Sequence, residues 1–202
     1  QNLIQQGTVI DVLLQSLIVD KTINVNELLI GDKNAIMIAA RILGYGKDYE
    51  FEYDGIEQKV DLSKLNPVKI EFENSPKGVN EFSYVLPNSK RTITFKLLNG
   101  KDEKQIESEL KAVRKISKTQ SSSLTTRLKK MILSVDGNSE KSFINNFVEN
   151  EFLSRDSLVF RQYLTKITPD MDMTTTVNDS NGKETEVVIP ITVRFFWPAT
   201  GI

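Results

Sequence analysis

The sequence contains no cysteine and no histidine among its 202 residues, and these two absences limit how the fold can be held together. Without cysteine the chain has no disulfide bond, Fe–S cluster or cysteine-bound zinc to stabilise a small core. A chain of this length can bury roughly 70% of its unfolded surface, so it can support a hydrophobic core of its own. The fold must therefore depend on packing of its hydrophobic residues, which make up 39% of the sequence.

The same absences exclude several classes of enzyme. A Ser-His-Asp triad, a thiol nucleophile and an imidazole base or metal ligand are all impossible. Catalysis would have to use carboxylates, Lys, Tyr, or Ser/Thr paired with Lys. Gly-rich phosphate loops of the Walker or Rossmann kind are also absent, so we expect no cofactor and no metal. The sequence thus favours a protein without enzymatic activity.

The chain as a whole lacks the charge excess of an electrostatic nucleic-acid binder, and it lacks the apolar stretch of a membrane span. Lys and Arg number 26 against 27 Asp and Glu, and the formal net charge is −1. No stretch reaches the 18 or more apolar residues of a transmembrane helix, and no signal peptide is evident. Because the chain begins at Gln1, we expect an initiator Met upstream of it.

The first half of the chain is predicted to be rich in strands. Residues 8–19 fit both helix and strand templates, and a helix is expected from Asp32 to about residue 44. A hairpin follows around Asp54-Gly55, and further strands are predicted at residues 68–72, 82–86 and 92–98.

Four helices are predicted between residues 101 and 167, each with its own apolar stripe. The stripe of the second helix includes Ile132, and Ser154 or Asp156 is expected to cap the fourth. A hairpin with a turn near Asn181-Gly182 closes the chain. From residue 187 to residue 197, six apolar residues alternate strictly, which is typical of a strand. The prediction is an α+β fold with a strand-rich N-terminal part and a C-terminal hairpin flanking a central four-helix segment. Residues 1–100 and 101–202 form either two parts or one continuous domain.

Two groups of residues are candidates for a partner interface. The first is a basic stripe over residues 111–130 without any acidic residue; its candidate contacts are Arg114, Lys115, Lys118, Lys129 and Lys130. An ordinary solvated helix face explains such a stripe better, and the stretch has no aromatic residue to stack on bases.

The second group is the C-terminal run Phe195, Phe196, Trp197 and Pro198. Alternation in a strand sends Phe195 and Trp197 to one face and Phe196 to the other, so both faces need covering. The second cover is either the chain's own helices or a partner subunit.

Two acidic pairs were weighed as sites of chemistry. Asp170 and Asp172, followed by threonines, could hold a hard cation, but an ordinary loop after a helix explains them better. Glu149 and Glu151 could be a hydrolytic pair, but acids two residues apart on a helix point in different directions.

Several short motifs resemble the baseplate hub proteins of T-even-like contractile-tailed bacteriophages. At the N-terminal end they are Asp32-Lys33-Asn34, Ala39-Ala40-Arg41-Ile42 and Tyr45-Gly46-Lys47-Asp48-Tyr49. At the C-terminal end they are Ser154-Arg155-Asp156, Arg161, Thr168-Pro169-Asp170-Met171-Asp172, Ile189-Pro190-Ile191 and Phe195-Phe196-Trp197-Pro198. Residues 68–138 carry no matching motif.

The resemblance implies a structural or assembly subunit of the hub that contacts other hub and tail proteins within a multi-subunit assembly. Its implied location is the tail baseplate of the virion, and the host cytoplasm during assembly. Many family members carry cysteine pairs in the two hairpin turns, suggesting zinc clips; here glycine-containing turns must close the hairpins without metal. The alternatives are a hub-associated cell-wall hydrolase using carboxylates, and a nucleic-acid or regulatory module using the stripe over residues 111–130.

Overall fold

The protein has an α+β fold, as the sequence predicted. The computed structural model describes residues 3–70, 78–116, 123–191 and 193–196. These residues divide into two compact units. Unit 1 contains residues 1–25, 31–68 and 169–202, and unit 2 contains residues 26–30 and 69–168. Unit 2 is thus inserted into unit 1, so a boundary at residue 100 does not describe the division.

Unit 1 combines helices with two separate hairpins. Helix α1 covers Leu3–Leu17 and α2 covers Ile30–Tyr45. Strands β1 (Asp48–Tyr53) and β2 (Ile56–Asp61) form the first hairpin, which a 3₁₀ turn at Leu62–Lys64 follows. The second hairpin comes late in the chain and pairs β6 (Thr174–Asn178) with β7 (Glu184–Val188). A short helix over Val193–Phe196 follows it.

Unit 2 packs helices against a three-stranded antiparallel sheet. The strands β3 (Phe82–Val85), β4 (Thr92–Phe95) and β5 (Ile132–Val135) lie in that order. The helices are α3 (Gly100–Ile116), α4 (Ser123–Met131), α5 (Lys141–Asn146) and α6 (Ser154–Ile167), with a π-helical turn at Phe147–Glu151 after α5. The helix over Val193–Phe196 in unit 1 is α7.

Each unit has its own core. In unit 2, Phe95, Phe147 and Phe160 are fully buried, and the rings of Phe95 and Phe160 meet edge to face with centroids 5.0 Å apart. In unit 1 the fully buried side chains include Leu14 and Phe195. No cysteine or metal is needed, because aromatic and aliphatic burial supplies the driving force in both cores.

The C-terminal strand prediction is wrong for residues 189–191 and 193–196. Strand β7 ends at Val188, and residues 193–196 are helical. Pro190 has no backbone N–H to donate to a ladder, which disfavours continuing the strand through it. Without a strand there is no alternation of faces at Phe195 and Phe196.

Three other predictions need adjustment. The ambiguous segment over residues 8–19 is helical as far as Leu17. Ile132, placed in a helix stripe, instead opens strand β5, which completes the sheet of unit 2. Residues 68–70 of the strand predicted at 68–72 are not in a strand, and its other two residues lie outside the described part.

Candidate protein interface

The motif residues from the two ends of the chain meet inside unit 1. Asn34 in α2 donates a hydrogen bond from Nδ2 to Oδ1 of Asp170, at 2.9 Å and 136 positions along the chain. One residue earlier in α2, Lys33 forms an ion pair with Asp11 of α1 at 2.5 Å. Both side chains of this pair are nearly buried, at 13% and 11% exposure, so they tie α2 to α1 in a partly desolvated setting.

Gly31 is buried against the backbone of the same C-terminal segment. A Cβ atom added at this glycine would lie 2.0 Å from the carbonyl oxygen of Pro169 and 2.7 Å from Cα of Asp170. The first turn of α2 therefore approaches residues 169–170 closely, and a glycine at this position permits the approach.

Tyr49 links the first hairpin to the end of the chain. Its hydroxyl group donates to the carbonyl oxygen of Pro190 at 3.0 Å, and its ring meets that of Phe195 with centroids 4.9 Å apart. Arg41 is buried beside it and donates to the carbonyl oxygens of Gly46 and Asp48. The Arg41 guanidinium also lies over the Tyr49 ring, 5.8 Å from its centroid.

These contacts place Phe195 and Phe196 in the core of unit 1. Phe195 is fully buried and Phe196 is 4% exposed. The covering that the sequence analysis left open is thus supplied by the chain itself, and neither side chain presents a surface to a partner. Trp197 and Pro198 lie outside the described residues.

Acidic side chains neutralise much of the basic stripe. Arg127 donates from both terminal nitrogens to Glu103, at 2.6 and 2.7 Å. Lys129 pairs with Glu149, and Lys130 pairs with Glu109 at 3.3 Å.

The rest of the stripe is described only in part. Lys111 pairs with Glu107 one turn away. Arg114 and Lys115 belong to α3, but their side chains are outside the described part, as is all of Lys118. The described cations of the stripe are therefore paired with carboxylates of unit 2.

The two hairpin turns of unit 1 are joined by hydrogen bonds. The backbone N–H of Ser180 donates to the carboxylate of Asp54 at 3.0 Å, and its hydroxyl group donates to the same oxygen. These bonds lower the pKa of Asp54 below its usual value. Gly55 and Gly182 supply the left-handed conformation that each turn needs, with φ of +76° at both. A polar contact thus connects the turns of this cysteine-free chain.

Asp156, another motif residue, holds a loop of unit 2 in place. The fully buried carboxylate accepts hydrogen bonds from the backbone and side-chain N–H groups of Asn88 and from the backbone N–H of Ser89, at 2.8–2.9 Å. Burial raises the pKa of Asp156, but these bonds outweigh it and lower the pKa to about 2. Sequence reasoning gave Asp156 only a helix-capping role, because the loop lies more than 60 positions away.

The acidic pairs that were weighed for chemistry are engaged in structural contacts. Glu149 pairs with Lys129, and Glu151 accepts from Arg91 at 2.6 Å. Asp172 accepts from the backbone and hydroxyl group of Thr174. Within the described ranges, no three His, Cys, Asp or Glu side chains are grouped closely enough to hold a metal ion.

Several carboxyl groups of the described part have a lowered pKa. Groups with a shifted pKa in the described part include Asp20, Asp54, Asp61, Asp156 and Asp172, and in each of these the pKa is lowered. Each shift reflects hydrogen bonds that favour the ionised form. A glycosidase-type acid requires a raised pKa instead.

Helix α1 exposes apolar residues to solvent. Val9 is 46% exposed, Val12 66% and Leu17 47%. The only charged residue of this helix, Asp11, is turned inward to Lys33. Sequence analysis missed this surface because an apolar helix was not distinguished from a buried strand there. Among the helices of the described segments, none has both the length and the apolar character to cross a membrane.

Comparison of the chain with protein-family models, with curated proteins and with solved structures found no match.

Proposed function

We propose that this chain is a non-enzymatic structural or assembly subunit of a phage tail baseplate hub, which acts through contacts with other hub and tail proteins. Its place would be the baseplate of the virion, and the host cytoplasm during assembly. The proposal starts from the resemblance of the short motifs at the two ends of the chain.

One structural observation carries the proposal beyond those motifs. Pieces of the resemblance that are more than 130 positions apart meet in unit 1, where Asn34 contacts Asp170 and Tyr49 contacts Pro190. These contacts join the motif pieces within one compact unit, and their use in packing supports a structural role.

A second observation concerns how the chain would contact its neighbours. The apolar side chains Val9, Val12 and Leu17 are exposed on α1. Exposed apolar surface on a helix with no outward charge suits a protein–protein contact better than open solvent. This face replaces Phe195 and Phe196 as the part of unit 1 that we assign to a hub or tail protein.

The test is co-expression of the tagged chain with the hub and tail-tube proteins of a contractile-tailed phage. We expect a stoichiometric complex to co-purify with the wild-type chain. Val12→Asp should fold with an unchanged melting temperature but lose the complex, whereas Val188→Asp, an equally exposed apolar position in β7, should retain it. Wild-type chain that stays alone beside all hub proteins would contradict the proposal.

An activity measurement addresses the hydrolase alternative with the same protein. Incubation with purified cell-wall glycan should release no reducing ends. Release that disappears in Glu149→Gln or Glu151→Gln would overturn the non-enzymatic assignment, since these side chains form the acidic pair considered for hydrolysis.

A further inference from the structure

The near-neutral charge of the whole chain conceals two oppositely charged units. Unit 1 has eight Lys and Arg against fourteen Asp and Glu, giving a formal net charge of −6. Unit 2 has eighteen against thirteen, giving +5. A protein that separates its charge in this way attracts other copies of itself, because the acidic unit of one copy complements the basic unit of another.

The acidic charge of unit 1 is concentrated on one face of the first hairpin. Alternation in β1 places Asp48, Glu50 and Glu52 on the same side, and all three are exposed. Their partners in the β2 register are Asp61, Lys59 and Glu57. This surface, which we call the acidic hairpin face, therefore carries five carboxylates and one lysine.

Internal pairing leaves part of this acidic face unneutralised. Lys59 lies 3.0 Å from Asp48 and 3.8 Å from Glu50, and Asp61 pairs with Lys47 at 2.9 Å. Glu52 and Glu57 stand directly opposite each other in the register, with no cation within ion-pair distance among the described residues. Like charges at opposed positions destabilise a hairpin. A basic side chain of a neighbouring molecule would offset the repulsion between these two carboxylates.

The complementary surface is the outward side of α6. Its cations are Arg155, Arg161 and Lys166, all exposed, while the only acid of the helix, Asp156, is fully buried. Leu158 lies among these cations and is 49% exposed. We call this surface the basic α6 face.

Two of these cations have no evident role in folding. Arg155 has no acidic partner among the described residues, and Arg161 donates only to the carbonyl oxygen of Ser157 in its own helix.

We propose that the basic α6 face of one copy docks on the acidic hairpin face of a second copy, giving head-to-tail self-association of the chain. Such a contact joins two different surfaces, so it produces a closed ring if the rotation between copies closes and an open chain if it does not. Exposed charges dominate the contact, and salt should therefore weaken it strongly. The proposal goes beyond the hub assignment and does not depend on it.

Sedimentation of the purified full chain at several protein concentrations measures this association. In 20 mM NaCl the average mass should rise with concentration above the 22.9 kDa of one chain, and in 500 mM NaCl it should return to that value. A chain that is monomeric at both salt concentrations overturns the proposal. Association that is equally strong in 500 mM NaCl also overturns it, because apolar contact would then be responsible.

Charge reversal identifies the two faces. The double variants Glu52→Lys/Glu57→Lys and Arg155→Glu/Arg161→Glu should each remain monomeric in 20 mM NaCl. A control, Lys101→Glu/Lys141→Glu, changes the net charge as much as the arginine variant, at exposed positions elsewhere in unit 2, and should associate like the wild type.

Mixing the two double variants is the decisive measurement. In the mixture each reversed face meets a complementary one, so alternating association should reappear at low salt, which also demonstrates that both variants are folded. A mixture that stays monomeric overturns the proposal, as does loss of association in the lysine control. A mixture that stays monomeric would leave the co-purification test with hub proteins unaffected, because the two experiments measure different contacts.

Discussion

Gly31→Ala tests the close approach on which unit 1 depends. The substitution adds a single methyl group to the first turn of α2, where the backbone is helical and alanine is normally preferred by about 1 kcal/mol. At Gly31, however, that methyl carbon would lie 2.0 Å from the carbonyl oxygen of Pro169 and 2.6 Å from its carbonyl carbon. Both are backbone atoms, which cannot rotate away as a flexible side chain could.

The steric cost should exceed the gain in helix propensity. An overlap of this size requires a shift of about 1 Å in packed backbone, and overpacking of a core typically costs about 1–3 kcal/mol, occasionally more. The shift also endangers the neighbouring hydrogen bond from Asn34 to Asp170. Because the overlap is with backbone atoms, we take the upper end of that range, about 3 kcal/mol; after the propensity gain of about 1 kcal/mol is subtracted, the net destabilisation is about 2 kcal/mol.

Gly44→Ala is a matched control in the same helix. No atom would lie within 4 Å of its added Cβ, and its φ is not in the left-handed region. This variant should therefore be as stable as the wild type or more stable by a few tenths of a kcal/mol, since it lies in the last turn.

Urea unfolding of the full chain, followed by hydrogen exchange at the α2 amides, reports on unit 1 specifically. Exchange in α2 should become faster in Gly31→Ala and unchanged or slower in Gly44→Ala. If Gly31→Ala is as stable as Gly44→Ala, residues 169–170 do not pack against α2 as described, and the reasoning fails.

Three further predictions follow from buried or bonded groups. Asp156→Asn should lower the free energy of unfolding by about 2 kcal/mol at pH 7, as expected for a carboxyl pKa lowered from 3.8 to about 2. Because that pKa is lowered by folding, the deficit should persist above pH 4 and disappear as the pH falls to about 2, which urea titrations at both pH values would check. Asp54→Gly keeps the turn conformation but removes the acceptor of the Ser180 N–H group, so hydrogen exchange at Ser180 should become faster. Asp54→Asn should slow exchange at Ser180 relative to Asp54→Gly, and equal rates in the two variants would contradict the contact between the turns. Phe195→Ala should lower the free energy of unfolding of unit 1 by about 3–5 kcal/mol, and a loss under 0.5 kcal/mol would mean that the side chain is not in the core.

Local patterns in the sequence predicted the fold class and many of the elements. The hairpin at Asp54-Gly55 and the second hairpin near Asn181-Gly182 were both located from turn residues. The pattern failed where a short apolar run fits two structures. Ile132 continues a helical stripe in the sequence, yet it begins a strand because β4 offers a free edge to pair with. Such an edge is a tertiary feature that periodicity does not contain.

The candidate site was harder to predict because it depends on partners that are distant in the chain. The basic stripe has no acid within it, but Glu103 and Glu149 approach it from other elements and neutralise Arg127 and Lys129. Similarly, the alternation over residues 187–197 marks Phe195 correctly as a residue that needs burial. It does not make the segment a strand, since Pro190 has no N–H group to continue the ladder. Composition reveals which residues need covering, and only the tertiary structure reveals what covers them.

The insertion of unit 2 separates the two parts of unit 1 along the chain. Unit 1 is closed by contacts between segments separated by about 100 residues, and closing so long a loop costs conformational entropy. The structure brings the segments together where unit 2 begins and ends: Val68 donates to the carbonyl oxygen of Asp170 at 2.8 Å, and Asp172 donates to that of Asn66 at 2.9 Å. An inserted unit that folds on its own internal contacts would hold these segments close and remove most of that entropic cost. Residues at the junction, such as Asp170, therefore close unit 1 through contacts that no local pattern in the sequence reveals.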